Sequence, residues 1–252
     1  MVARVRLVLL MTLLGAGAAA QETDVRDMEG RIEYAWFTED ANSLRNLIST
    51  TEGILPKGGD SAFARYQLGF AHYRLGLLLA QKKADAAAEA FAGCVKELDQ
   101  ALEANEQFAD AYALQSACYG SLAGLQAWKA VVYGPQRDSR LDKARQLAPR
   151  NPRVVLLDGL ADGEKSKAFG GDQVRAQSKF KQAVELFERA AEPPEGEPGW
   201  GAAEAYLYLG RGLMQAGDTL GARNALEQAL IIAPEFAAAR RELARLTGAS
   251  RN

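Results

Sequence analysis

The sequence predicts an all-α protein built from helix pairs that stack on one another. Three observations predict it. Apolar residues recur at helical spacing along most of the 252-residue chain. Small residues recur where the two helices of a pair would cross. Glycine and proline break the pattern at a roughly constant interval, the mark of an internal repeat. Apolar residues make up 48% and charged residues 25%, a globular balance that excludes wholesale disorder.

The first residues, "MVARVRLVLLMTLLGAGAAAQETD", read as an export signal rather than part of the fold. Arg4 and Arg6 form a basic lead, Leu7 to Leu14 an apolar core, and Ala18-Ala19-Ala20 a small-residue cleavage site. Residues 1–20 are therefore expected to be removed, placing the protein in a periplasm or outside the cell. No cysteine follows the small residues, which disfavours a lipid anchor, and nothing later is long and apolar enough to span a membrane. Cleavage takes two arginines and no acid, moving the net charge from −2 to −4. A mildly acidic chain with no basic block carries no electrostatic footprint for nucleic acid. Cys94 and Cys118 would meet an oxidising compartment. A disulfide between them is one option; because both lie in alanine-rich helical runs, buried free thiols are the expectation.

Residues 21–60 hold an N-terminal helical pair, with Val25, Met28, Ile32 and Ala35 and then Leu44, Leu47 and Ile48 at helical spacing. Residues 61–191 hold three units. The first has two overlong helices, and its leucine-glycine pairs Leu68-Gly69 and Leu75-Gly76 leave the register open. The second begins with "ADAYALQSACYGSL", Ser116 taking the small crossing position, and ends at Pro149. Its middle, "QAWKAVVYGPQRD", departs from the pattern, because Gly134-Pro135 interrupts it and Arg137 stands where a small residue is usual. The third pairs "PRVVLLDGLADG" with "RAQSKFKQAVELFERA", crossing at Gly159 and Ala176, and has five extra residues in its inter-helix turn. That turn contains "AFGGD" (168–172). With no preceding strand and no Lys-Ser/Thr pair, it reads as a joint whose Asp172 caps the next helix and not as a phosphate cradle. Phe169 in that turn could cover a neighbouring helix or touch a partner.

Residues 192–201, "EPPEGEPGWG", form a Pro/Gly-rich linker and predict a slack joint. Residues 202–252 hold the clearest unit and a closing helix. Tyr206, Leu209, Gly210 and Leu213 mark its first helix. Gly217 can take the left-handed conformation that ends a helix, and Asp218 can cap the next. Ala222, Leu226, Ala229 and Leu230 mark the second helix, and Pro234 closes it.

This last unit resembles a tetratricopeptide repeat (TPR). The leucine-glycine pair, glycine turn, two small alanines with a large residue between them and terminal proline all stand at family spacing, and residues 203–236 have the family length of 34. The resemblance extends with decreasing fidelity over residues 60–246, and the Phe-Gly-Gly-Asp turn resembles one found in exported bacterial repeat proteins. It implies a right-handed superhelix, an α-solenoid of about four units plus the N-terminal pair. Its concave face, lined by the first helix of each unit, would hold a partner peptide or helix. By motif position the groove residues would be Glu204, Leu207, Arg211, Met214 and Gln215 in the last unit, Arg153, Leu156 and Leu160 in the third, and Asp110, Ala113 and Ala117 in the second. The arginine-asparagine carboxylate clamp of chaperone-adaptor members is not recognisable.

In the first unit Phe63, Tyr66, Phe70 and Tyr73 form one aromatic ridge on a helix. Facing the groove it would be a docking strip; otherwise it is core packed against residues 24–54. Catalysis is not expected. His72 is the sole histidine, two cysteines make no four-ligand zinc site, no Gly-x-Ser-x-Gly turn is present, and no carboxylate pair stands out. No cofactor or metal is implied. The expected role is a non-catalytic scaffold of a bacterial cell envelope, gripping an envelope protein or peptide in the groove. The alternative is an accessory subunit that senses a small molecule or cell-wall fragment. Either groove role requires the hollow to be free.

Overall fold

In a computed structural model, residues 27–54, 61–80, 84–164, 171–194 and 196–249 are described. The export signal, Val25, Phe169 and Gly170 lie outside them. The described residues form eleven α-helices and one 3-10 turn, with no strand. Helix α1 (27–37) pairs with α2 (Ala41–Ile54), α3 (Ala62–Leu79) with α4 (Ala84–Ala104), and α5 (Ala109–Leu125) with α6 (Ala130–Leu147), the last two joined through the 3-10 turn Ala127–Lys129. Helix α7 (Pro152–Glu164) pairs with α8 (Gln173–Arg189) and α9 (Ala202–Gln215) with α10 (Thr219–Ile232), and α11 (Ala237–Ala249) closes the array. The architecture is a right-handed α-solenoid of TPR-like pairs.

The pairs form because small residues let two backbones approach. A Cβ built on Gly210 would lie 3.0 Å from Leu226, and one on Gly159 would lie 2.7 Å from the Phe180 ring. Ala176, Ala183, Ala222 and Ala229 are fully covered between them. Both ambiguous glycines of the first unit are crossing points, Gly76 against Phe91 and Gly69 against Leu98. Gly76 faces a residue fifteen positions on, close to the sixteen from Gly210 to Leu226, so Leu75-Gly76 is the register-setting pair. Gly217 has φ +81° and ends α9, while the Asp218 carboxylate accepts from the Gly221 N–H at the start of α10. Asp172 likewise accepts from the Val174 and Arg175 N–H groups and caps α8.

Three expectations are corrected. Cys94 on α4 and Cys118 on α5 are joined by a disulfide, Cα atoms 6.5 Å apart. They lie at the crossing of consecutive units, where both side chains are fully buried and face each other, and helical periodicity says nothing about that inter-unit contact. Helix α6 runs through Pro135 without a break. The backbone bond that Pro135 cannot donate would end on residue 131, which is exposed, so water can serve that carbonyl. The linker is pinned at its C-terminal end: Trp200 is 2% exposed, and the Gly199 N–H donates to Glu29.

One apolar core runs from α1 to α9, and a smaller one lies inside the C-terminal unit, around Leu207, Leu226, Ala229 and Phe236. Phe37, at the end of α1, enters that second core and packs against Phe236, ring centres 4.5 Å apart and tilted by 50°. The array therefore curls far enough for its first helix to meet its last unit.

Candidate functional site: a concave face filled by the chain itself

Helix α3 meets α1 and the end of the linker, α7 packs on Gly201 at that end, and α9 meets α3 through Glu204. Helix α1 turns Glu29, Glu33 and Trp36, spaced four and three apart, toward them. Met28, Ile32 and Ala35 on its other side are buried. Glu29 accepts from Gln67 of α3 at 2.5 Å and from the Gly199 N–H at 2.7 Å. Trp200 inserts behind it, stacks on Phe70 at 4.7 Å and donates its indole N–H to the Tyr66 hydroxyl at 2.7 Å.

At the centre stands Arg74 of α3. Its guanidinium lies 4.7 Å from the Phe70 ring centre, 4.8 Å from Trp36 and 5.0 Å from Trp200, and it is bonded to Glu204 of α9. Three aromatic faces and one carboxylate thus replace the water that a buried cation gives up. Beside this cage, Asp110 of α5 accepts from Arg153 of α7 at 2.5 Å and from Asn151 at 2.7 Å.

The balance is uneven around Glu33. Burial, and then the nearby charges of Glu204 and Glu29, raise its carboxyl from 4.5 to about 8, against the pull of Arg74. Glu29 is also raised, by burial, although hydrogen bonds from Gln67 and Gly199 oppose the shift. Burial holds the Tyr66 hydroxyl well above its usual range. Trp36 Nε1, Gln67 Oε1, Arg74 Nε and Glu204 Oε2 are buried atoms of this region without a protein partner. With its carboxyl raised to about 8, Glu33 is mostly protonated at pH 7 and attracts Arg74 only weakly.

Among the expected groove residues Ala113 is buried, Ala117 half-buried and Gln215 exposed. Tyr66, Phe70 and Tyr73 are core, covered by α1, Trp200 and Phe91, and Phe63 is half-buried beside them. The aromatic ridge is thus packing and not an open docking strip, because the hollow it faces is full. Leu156 and Leu207 are buried, and Leu160 is partly so. Arg153 is committed to Asp110, Arg211 donates to Glu242 of α11 at 3.0 Å, and Met214 packs beside the C-terminal core. His72 is packed over Gly93, and burial lowers its imidazole. Sequence reasoning missed Arg74, Trp36, Glu29, Glu33 and Trp200 as parts of this centre. Two signals could have found some of them: a tryptophan inside a Pro/Gly linker, and an arginine four residues after Phe70 on the aromatic face.

The outer surface holds two other features. Trp128, in the 3-10 turn with Lys129 over its ring, and Val131, at the start of α6, are 77% and 80% exposed, and Val132 is also exposed. Between α1 and α2 lies an open cleft of about 390 Å³, lined by Asp27, Arg31, Tyr34, Ser43 and Asn46 among others. No group of acidic, histidine or cysteine residues among the described residues could hold a metal ion, and none of the described helices is long and apolar enough to cross a membrane.

No family model and no curated protein matches the chain. Among solved structures, the HusA haemophore of Porphyromonas gingivalis is similar over 79% of this chain and 93% of its own, with 18% identity and a TM-score of 0.59. TTC0263, a thermophilic TPR protein of Thermus thermophilus, is similar over 88% of this chain and 98% of its own, with 16% identity and a TM-score of 0.55. At such identities the likeness is one of fold, and it agrees with the TPR-like architecture.

Proposed function

We propose that this chain is an exported, non-catalytic interaction scaffold of a bacterial cell envelope, and that it engages protein through the outer face of α6 instead of its concave face. One observation carries the choice of surface. Of the side chains that an open TPR groove would offer, Tyr66 and Phe70 are covered by Trp200, Arg153 is paired with Asp110 and Arg211 with Glu242, whereas Trp128, Val131 and Val132 stand in solvent. Tryptophan is among the residues that supply most of the energy of protein contacts, and the valines beside it add apolar area. The first half of α6 packs inward mainly through Tyr133, against Tyr119 at 6.1 Å, and its fully buried residues, Leu141 and Ala144, lie in the second half. The opposite face of that first half stands in solvent.

A photo-crosslinking residue at position 132, introduced in the organism's own envelope, tests this. Protein adducts should form there, vanish with Val131→Glu, and persist with Val174→Glu, the same change at a distant exposed valine on α8. Absence of any protein adduct at position 132 would sink the proposal. Fractionation, with mass spectrometry of the mature N-terminus, tests export; the expected first residue is Gln21.

The cleft between α1 and α2 favours a second reading, an accessory subunit that binds a small molecule or cell-wall fragment. Its volume falls within the usual range of small-molecule sites, and its exposed Tyr34 stands among hydrogen-bonding side chains, an arrangement suited to a sugar face. A thermal shift with muropeptides that is lost in Tyr34→Ala would support it.

A further inference from the structure

We infer that Glu33 is a proton-operated latch: with its proton on, the seam between the first helix and the last unit stays closed, and without it the seam opens. The two ends of the array meet along that seam. Arg74 of α3 is bonded to Glu204 of α9, Phe37 at the end of α1 packs against Phe236, and Arg241 of α11 pairs with the exposed Glu39. Trp36 of α1 lies over Arg74, so α1, α3 and α9 share one centre.

Register sets Glu33 against apolar side chains. Glu29 bonds to Gln67 and Trp36 lies over Arg74, each pair 38 positions apart, so α1 runs alongside α3 in parallel and in step. Between those two pairs Glu33 falls level with Phe70 and Ala71, both fully buried. The charges that reach it are Glu204 and Glu29, which repel an ionised carboxyl, and Arg74, which attracts it. That guanidinium is already bonded to Glu204, while Arg153 of α7 acts on Glu29 and is held by Asp110 of α5. Tyr66, also on α3, keeps its proton and adds no charge. Ionised, Glu33 would bring a third carboxylate to a buried centre whose arginine is taken, and a buried charge without its own partner is costly. Protonated, it is neutral and carries an O–H donor, in a region where the buried acceptors Gln67 Oε1 and Glu204 Oε2 lack a partner.

An open seam returns Glu33 to water, where its carboxyl ionises near the ordinary 4.5. In the closed seam burial, and then Glu204 and Glu29, hold it up to about 8. Opening therefore becomes easier as pH rises from 4.5 to 8, and it levels off above 8, where both states have lost the proton.

Hydrogen–deuterium exchange of the mature protein is the test, read by mass spectrometry at about pH 5, 6, 7, 8 and 9 with times scaled to the intrinsic amide rate. Protection of peptides from α1 and α9 should fall by roughly 10- to 30-fold between pH 5 and 8 and then level off, the part of the shift that survives partial access to water. At pH 8 those peptides should exchange at least about tenfold faster than peptides of α4 and α5, which the disulfide joins, because a local opening precedes global unfolding. Glu33→Gln, which cannot ionise, should keep the seam protected at every pH. Glu103→Gln, at an exposed position of α4, should leave the parent's profile unchanged. Circular dichroism on each variant establishes that it is folded. Seam protection that does not change with pH, or that falls as steeply in Glu33→Gln, would overturn the inference. So would equal protection of the seam and of α4 and α5 at pH 8, which would mean that only global unfolding exposes Glu33.

Discussion

Replacing Glu33 with glutamine should stabilise this protein, and by an amount that depends on pH. Glu33 sits where α1 enters the concave face, with Glu29 and Glu204 as like-charged neighbours, and its carboxyl is raised from 4.5 to about 8. An unfolded chain releases that proton near pH 4.5, whereas the folded chain keeps it until pH 8. Stability from this group is thus fully present below 4.5 and is lost as pH rises toward 8. Each unit corresponds to about 1.4 kcal/mol, which sets a ceiling of roughly 3 kcal/mol at pH 7. The side chain keeps partial access to water, and screening reduces the effect to about 1.5–2 kcal/mol. Glutamine has the same shape and no proton to take up. Urea titrations at pH 5, 7 and 9 should show Glu33→Gln and the parent separated by less than about 0.5 kcal/mol at pH 5 and by about 2.5 kcal/mol at pH 9. At pH 7 the melting temperature should rise by roughly 3–8 °C for a chain of this size. A gap that does not change between pH 5 and 9, or a variant less stable at pH 9, would refute the reasoning about the crowded carboxylates.

Trp200→Ala should cost about 3–5 kcal/mol, because it empties the space behind Phe70 and orphans the Tyr66 hydroxyl; chemical denaturation measures it, and a loss below 1 kcal/mol would mean the hollow is not closed. Cys94→Ala with Cys118→Ala should lose about 3 kcal/mol, the value for a loop closed by residues 24 apart, seen as a lower melting temperature that reductant no longer affects. Gly159→Ala should cost about 1–3 kcal/mol, since the new methyl would lie 2.7 Å from the Phe180 ring. Gly163→Ala on the same helix, whose nearest neighbour would be at 3.6 Å, should be neutral or slightly stabilising through helix propensity. Arg241→Ala, which removes the partly exposed partner of the Glu39 carboxylate, should lose less than about 1 kcal/mol at the melting transition.

What could be read in the sequence was local. The small-large alternation at Gly159, Ala176, Gly210 and Ala222 dictates close crossing within a pair, and Gly217-Asp218 and Asp172 set where helices stop and start, because these depend on residues within a turn or two. The tertiary structure alone decided what became of the concave face. Arg74 meets Glu204 across 130 positions, Trp200 meets Tyr66 across 134, and Arg241 meets Glu39 across 202. Those distances close only after the small rotation at every unit has accumulated around the array, and no spacing along the chain records that sum. Only the curl of the whole array brought α1 and the linker tryptophan against α3 and left Trp128, Val131 and Val132 outside.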